Sequence, residues 1–588
     1  MAQDANLNDP HLRARAVKAA QGLVPFDILI TNGQLLDMVT GSVRRADVGI
    51  VGGLIASVHA PDSTRKSAMH LDAKGGHIVP GLIDTHMHVE SSMITPAEYA
   101  SAVVPRGVTK VVWDPHEFAN ACGVEGVNYA IEAARDLPLR LLTLAPTCVP
   151  SAPGFEASGG DFGPDVIAAL LAKEDIHGAA ELMTMQPLLQ GDPRVKGIVN
   201  AALASGKRIC GHARGLRGGD LAAYAAAGVE TDHELTSGDD LLARLEMGLT
   251  VELRGSHEHL LPEFSEVFLK LGHLPQTVTF CTDDVFADDL LRQGGLDNVV
   301  RRMIGHGLPV DWAYRAATLN AATRIGRPDL GLVAPGKRAD IVIMKDLERV
   351  VAQAVVADGV LVASDGALTS PTVAVTPPAA LMASVKLAPF SAADFEIIAA
   401  APSVRIATLS KPRFPVWGER LLATKNGTVV LPNDMIRMAV TNRYGQGTPT
   451  RVAFLENWGT WRGAFATTVS HDSHNLTVFG RDQVDMAVAA NAVRTAGGGL
   501  CVVSNGEIRA QIDLPLAGLV SEGSLEEVAN TFASVRTALD DLVDWDPPFL
   551  VFKALFGASL VCNAGPRLSD LGLVDVYAGQ IRDTPICS

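Results

Sequence analysis

Between Pro80 and Pro335 short apolar runs alternate with Ala-rich helical stretches, and that alternation restricts the fold more than any other feature. The runs VTKVVWD, LRLLTLAP, KRICGHA, LTVEL and TVTFCTDD read as strands, with segments such as DLAAYAAAG between them as helices. Strand–helix alternation predicts a parallel sheet, and over roughly 250 residues the first expectation is a (β/α)8 barrel. Before Pro80 the pattern is all-β: FDILITNG, ADVGIVGGLIASVHA and MHLDAKGGHIVP are punctuated by Asn32-Gly33, Gly52-Gly53 and Gly75-Gly76. The β pattern returns near Gly336 as KRADIVIMKDL and VVADGVLVASDG, with Asp358-Gly359 as a hairpin turn. Two β segments flanking one barrel are expected to pair as a discontinuous small β-sandwich.

The resulting division is 1–79 and 336–370 for the sandwich, 80–335 for the barrel, 371–389 for a Pro-bearing linker, and 390–588 for a C-terminal α+β domain. That last domain carries a helix from Asp482 to Arg494, a strand–turn–strand around Asn505-Gly506, and a helix from Ser524 to near Val543. Gly497-Gly498-Gly499 lacks the grammar of a phosphate loop and reads as a helix-to-strand turn.

Composition removes several function classes. At 47% hydrophobic and 19% charged residues the chain has ample material for large cores. The net charge of −16 argues against a nucleic-acid binder, which would carry a basic stripe. No uncharged apolar run approaches the roughly 18 residues of a membrane span. The seven cysteines have no metal-knuckle spacing and an odd count, so free thiols and a cytoplasmic location are expected. Cys210 and Cys281 lie inside apolar strands and read as packing residues.

The chemistry concentrates at strand ends. Pro80-Gly-Leu-Ile-Asp84-Thr85-His86-Met87-His88 ends an apolar strand with histidines at i and i+2, which leave the strand on one face. Alone, such a pair is more often two solvated polar residues. Later strand ends add Glu181, His212, His233 and Asp283, each with an ordinary explanation of its own. Together they place four imidazoles and two carboxylates on one barrel rim, a ligand set for two divalent cations.

PGLIDTHMH, the single histidines on two later strands, TDD and PGKRADIVI resemble the amidohydrolase superfamily. Val89-Glu90-Ser91-Ser92-Met93, Trp113-Asp114-Pro115-His116-Glu117, Thr231-Asp232-His233-Glu234 and Ser470-His471-Asp472-Ser473-His474-Asn475 narrow that resemblance to the adenine deaminase family. The resemblance implies that His86 and His88 bind one metal, His212 and His233 the other, and that Glu181 bridges them. It further implies that Asp283 touches the first metal and accepts a proton from a bridging hydroxide that attacks C6 of adenine, giving hypoxanthine and ammonia, a purine salvage reaction. A protonated carboxyl, Glu117 or Glu181, then supplies a proton to the ring; the residues do not choose between them. Nitrogen and oxygen ligands accept Zn, Mn or Fe, and the resemblance favours Mn or Fe. It also implies a homo-oligomer, a dimer before others.

Glu90, Ser91, Ser92, Asp114, His116, Asp284 and His474 are the candidates for substrate contact or support of the metal ligands, with His471 to Asn475 as the edge of a cover over the barrel mouth. Arg214 and the run Arg254-Gly255-Ser256-His257 depart from the family pattern; Arg214 reads as a surface residue, and His257, His259 and His273 as surface or loop residues. Gly178-Ala-Ala-Glu181 offers no lysine to bridge metals as in many cyclic-amide hydrolases, and Gly211-His-Ala-Arg214 lacks the Glu of adenosine deaminases. A hydrolase of another amino-heterocycle or of a cyclic amide, and a non-enzymatic barrel, are the competing readings.

Overall fold

A computed structural model describes residues 5–412, 414–545 and 551–587, and every count of strands or pairs refers to these described residues. The first strands are β1 (Phe26–Leu36), β2 (Val43–Val51), β3 (Leu54–His59), β4 (Ser67–Asp72) and β5 (His77–Pro80). Eight strands follow in the alternating region: β6 (Leu82–Met87), β7 (Val108–Trp113), β8 (Arg140–Thr143), β9 (Gly178–Leu182), β10 (Arg208–Gly211), β11 (Thr231–Asp232), β12 (Thr250–Arg254) and β13 (Val278–Cys281). The chain then returns to the first sheet with β14 (Ile341–Asp346), β15 (Val351–Ala357), β16 (Val360–Ser364) and β17 (Ala367–Leu368).

The alternating region is α/β with parallel strands. β6, β7 and β8 pair in parallel, as do β9 with β10 and β11 with β12 and β13. Parallel bridges between Ala145 and Ala179 and between Met87 and Asp283 link these groups. Glu230 N donates to the Ile209 carbonyl at 3.0 Å, which joins β10 to β11. Strands buried on both faces need apolar side chains throughout, and VTKVVW and VTFC are buried at every position. Even Lys110 in β7 is buried, with its ammonium 2.8 Å from Asp340 beside β14.

The two flanking β segments do meet. β5 and β14 pair antiparallel, Val79 opposite Val342, so residues far apart in sequence form one nine-stranded sheet. Its alternating Ile and Val residues, Ile28, Ile30, Val48, Ile50, Ile78, Ile341 and Ile343 among them, share one apolar cluster. A helix that the sequence patterning does not flag, Pro10–Ala20, is capped by Asp9 and buries Ala16 and Ala19 against Phe26, Leu29 and Val51.

The Pro-bearing segment after β17 is docked. Leu381 is fully buried and its carbonyl accepts from Ala517 N at 2.8 Å. Beyond it, a nine-stranded, mostly antiparallel sheet lies between Ser403 and Asp513. Helices Gln483–Ala496 and Leu525–Leu542 pack on it. Gly497, at φ 77°, ends the first helix and Gly499 opens the next strand, the turn that the triple glycine foretold. Ser524 and Glu527 form a reciprocal capping box at the start of the second helix. Arg536 of that helix donates to Asp288 at 2.8 and 2.9 Å, which fastens this region to the helix after β13. All seven cysteines are free thiols, and no described helix is long and apolar enough to cross a membrane.

Candidate metal centre and active site

The ends of β6, β7, β9, β10, β11 and β13 bring buried side chains together. His86 and His88 leave β6 on the same side, as the period of two requires, and their Nε2 atoms lie 3.1 Å apart. Both are 3.5 Å from Asp283 Oδ1. Glu181 Oε1 is 3.4 Å from His88 Nε2, while its Oε2 is 2.6 Å from His212 Nδ1 and 3.3 Å from His233 Nε2. All six groups are buried. Asp84, inward on β6, accepts hydrogen bonds from the backbone N and the hydroxyl of Thr282. This fixes the residue before Asp283, which itself sits at φ 64°.

The donor set fits divalent cations. His88 Nδ1 donates to the Asp114 carbonyl at 3.1 Å, so the lone pair of the neutral ring is on Nε2. That lone pair faces two carboxylate oxygens and a second imidazole nitrogen. His212 Nε2 is buried with no hydrogen-bond partner. Converging lone pairs and carboxylates in a buried site call for positive charge between them. Two compact triads, His86–His88–Asp283 and Glu181–His212–His233, have their ligand atoms within 4.8 Å of one another.

A third cluster stands beside them. His116 Nδ1 donates to Asp114 Oδ2 at 3.1 Å and lies 3.6 Å from Glu181 Oε1. Burial opposes the charged imidazole, but the Asp114 carboxylate more than offsets it and moves the His116 pKa up to about 10. Glu117 has both oxygens buried without hydrogen bonds. Burial, reinforced by Glu90 and Asp284, raises its pKa well above the usual range. Burial likewise opposes ionisation of Glu181, yet His212 and His233 hold its pKa well below normal.

Beside this cluster lies a cavity of about 180 Å³, which His86, Asp114 and Glu117 do not line. His88, His116, Glu181, His212, His233, Asp283 and Asp284 all line it. Glu90, Ser91 and Ser92 do not. Glu90 accepts from the Trp113 indole at 2.7 Å, and Ser91 donates to the His88 carbonyl while accepting from Val285 N, so they brace the metal-ligand turn. Ser92 donates to the Val89 carbonyl at 2.5 Å. From the C-terminal region His471 and Asp472 reach the cavity, with His471 Nδ1 3.5 Å from Glu117. His474 stands behind His471, ring centres 5.5 Å apart, and does not line the cavity.

Two sequence expectations are corrected. Arg214 is only partly exposed: it pairs with Glu234 and both line the cavity. His257 is buried and also lines the cavity, and burial beside Arg254 lowers its pKa to about 2. In contrast, His259 and His273 are exposed, as expected. Arg254 is wedged between Glu234 and Asp283, pairing with both. Phe286, Phe556, Leu560, Asn563 and Arg567 complete the wall. Sequence reasoning missed them because a lone apolar residue or a lone arginine carries no spacing signal.

Comparison with known proteins agrees with this geometry. Residues 77–366 match the model of the amidohydrolase family, and residues 417–580 that of the adenine deaminase C-terminal domain. The protein called adenine deaminase 2 of Rhizobium etli is 58% identical over 585 residues, 99% of this chain and 98% of its own. An adenine deaminase of Serratia proteamaculans is 48% identical over 97% of both chains. One of Moorella thermoacetica is 37% identical over 96% of this chain and 97% of its own.

Proposed function

The chain belongs to the adenine deaminase family of amidohydrolases, and from that premise we propose that it hydrolyses adenine to hypoxanthine and ammonia. The observation that carries this reading is the convergence of His86, His88, His212, His233, Glu181 and Asp283, all but His86 lining one small cavity. In this reading the eight parallel strands close as a (β/α)8 barrel. The nine-stranded sheet, which shares one apolar cluster among its own strands and packs its other apolar residues on the helix Pro10–Ala20 and on the alternating region, is the discontinuous sandwich built from 1–79 and 336–370. The barrel occupies 80–335, the docked connection 371–389, and the C-terminal domain 390–588.

His86, His88 and Asp283 would hold one divalent cation, His212 and His233 a second, with Glu181 between them. Manganese or iron fits this nitrogen–oxygen set, as does zinc. When bound, two such cations acidify water, so that hydroxide is available at neutral pH. Asp283 is placed to accept the proton that the nucleophile loses as it adds to C6. Glu117 favours its protonated form, because burial and the nearby carboxyls disfavour its anion. His471, 3.5 Å from Glu117 and on the cavity wall, links that proton to the ring nitrogen that must receive it. Glu181, ionised beside His212 and His233, serves as ligand rather than acid. Closure of the cavity by the C-terminal region excludes water and strengthens these interactions. We also propose a cytoplasmic homodimer acting on the free base.

Ammonia release from adenine, set against a panel of cyclic amides, tests the assignment. Turnover of adenine to equimolar hypoxanthine and ammonia is expected; hydrolysis of a cyclic amide with adenine untouched would replace this reading with the competing one.

A further inference from the structure

Three guanidinium groups line the cavity, and two of them are committed. Arg214 pairs with Glu234, and Arg254 is held between Glu234 and Asp283. Arg567, the first residue of the strand Arg567–Ser569, differs. It is 3% exposed, and among the described residues no carboxylate forms an ion pair with it. Its Nη1 donates to the neighbouring Pro566 carbonyl at 3.2 Å, and its Nε is buried without any partner. Burying a charged donor without compensation is costly. A purely structural arginine in this position would have been given a carboxylate or a set of carbonyls, as Arg244 has with Asp232, Asp240 and Ala213.

The missing acceptor fits a purine. Arg567 enters the cavity wall from the C-terminal region, whereas the histidines enter it from the strand ends of the alternating region, so the two approach a bound base from different elements. Burial lowers its pKa to about 10, which still leaves it protonated at neutral pH. Adenine bound with C6 against the histidine cluster turns its opposite edge away from those histidines, leaving it to the groups that the C-terminal region brings to the wall. That edge carries N3, a lone-pair acceptor in the neutral base. Resting on the adenine reading of the site, we propose that Arg567 is a substrate-binding residue that donates a hydrogen bond to N3 of adenine. The C-terminal region would thus supply part of the base-recognition surface as well as a cover.

The test measures kcat/KM for adenine, and Ki for 3-deazaadenine and 7-deazaadenine, in wild type, Arg567→Met and Arg567→Lys. Metal content and circular dichroism accompany each variant. Loss of a charged hydrogen bond predicts a roughly 10- to 100-fold fall in kcat/KM for adenine in Arg567→Met. The fall should be carried mainly by KM at unchanged metal content. Ki for 7-deazaadenine should weaken in parallel, while Ki for 3-deazaadenine should change less than about twofold, because that contact is already absent. Arg567→Lys, which keeps a charged donor, should recover part of the loss. Equal weakening of all three bases makes Arg567 structural and overturns the proposal. So does an unchanged adenine KM, or sparing of 7-deazaadenine instead. A wild type inert towards adenine overturns the reading of the site itself, and the N3 contact falls with it.

Discussion

His86 and His88 occupy alternate positions at the end of one strand, and little in their surroundings serves any purpose but ligation. Each Nε2 faces the other and Asp283 Oδ1. Replacing His86 by Ala removes a candidate ligand alone, while replacing His88 by Ala also gives up its 3.1 Å hydrogen bond to the Asp114 carbonyl. His86→Ala or His88→Ala is therefore expected to lower bound metal, measured by elemental analysis, and to reduce turnover nearly to background with the fold intact. Full metal occupancy with normal turnover would end this assignment. Asp283 and Asp284 are a sharper pair. Both line the cavity, but only Asp283 reaches the histidine nitrogens, and only it is positioned by the Asp84–Thr282 contact. Asp283→Asn keeps the shape and removes the proton acceptor, so kcat should fall by at least about 10²-fold. Asp284→Asn should fall far less, and the reverse order would show that the ligand lies one residue later. The candidate metal ligands were legible because each sits at the end of an apolar strand and the residue type is itself the signal. Arg254, the last residue of β12, stands out in the sequence only as a departure from the family pattern. His257 reads there as a surface or loop residue, because its position depends on how the loop after β12 turns inward, which no local spacing encodes.

At the scale of elements, strand–helix alternation and turn dipeptides were readable because their periods are local. The pairing of β5 with β14 was anticipated from two flanking β segments, although its register was not. The loop between β8 and the helix Pro164–Leu171 shows what was out of reach. It is tied to the C-terminal region by Ala157 N donating to Asp570 at 3.0 Å and by Ser569 donating to the Phe155 carbonyl at 2.7 Å. Glu156 lies buried in this joint, accepting from Ser151 and Ala152 N. Burial, with Asp472 nearby, moves its pKa from 4.5 to about 8. The folded state therefore keeps a proton that the unfolded chain has released between those values. Its contribution to stability is full below about pH 4.5 and is lost as pH rises to about 8. Glu156→Gln, permanently neutral, should flatten that stretch of the stability–pH curve in chemical denaturation. An unaltered slope would show that Glu156 is ionised in the fold.

For the whole molecule, the proposed barrel and sheet contain all six candidate ligands, but the cavity is closed by residues that come much later. His471 lines it and His474 supports His471 from behind. His471→Ala should leave metal content unchanged and lower kcat/KM for adenine by at least about 10-fold through kcat, as expected for loss of a proton route. His474→Ala should have the smaller effect; equal activity of wild type and His471→Ala would reduce this stretch to a structural turn. Of the motif that flagged the C-terminal region, His471 and Asp472 line the cavity, while the arginine and phenylalanines beside it were invisible until the chain was folded. The central claim is that adenine is deaminated at a site made by divalent cations on His86, His88, Glu181, His212, His233 and Asp283. Its most direct test is to remove metal by chelation, assay hypoxanthine formation from adenine, and then restore Mn²⁺, Fe²⁺ or Zn²⁺ in turn. The account predicts activity lost with the metal and regained as about two equivalents rebind. Hypoxanthine formation that persists after complete metal removal would contradict it.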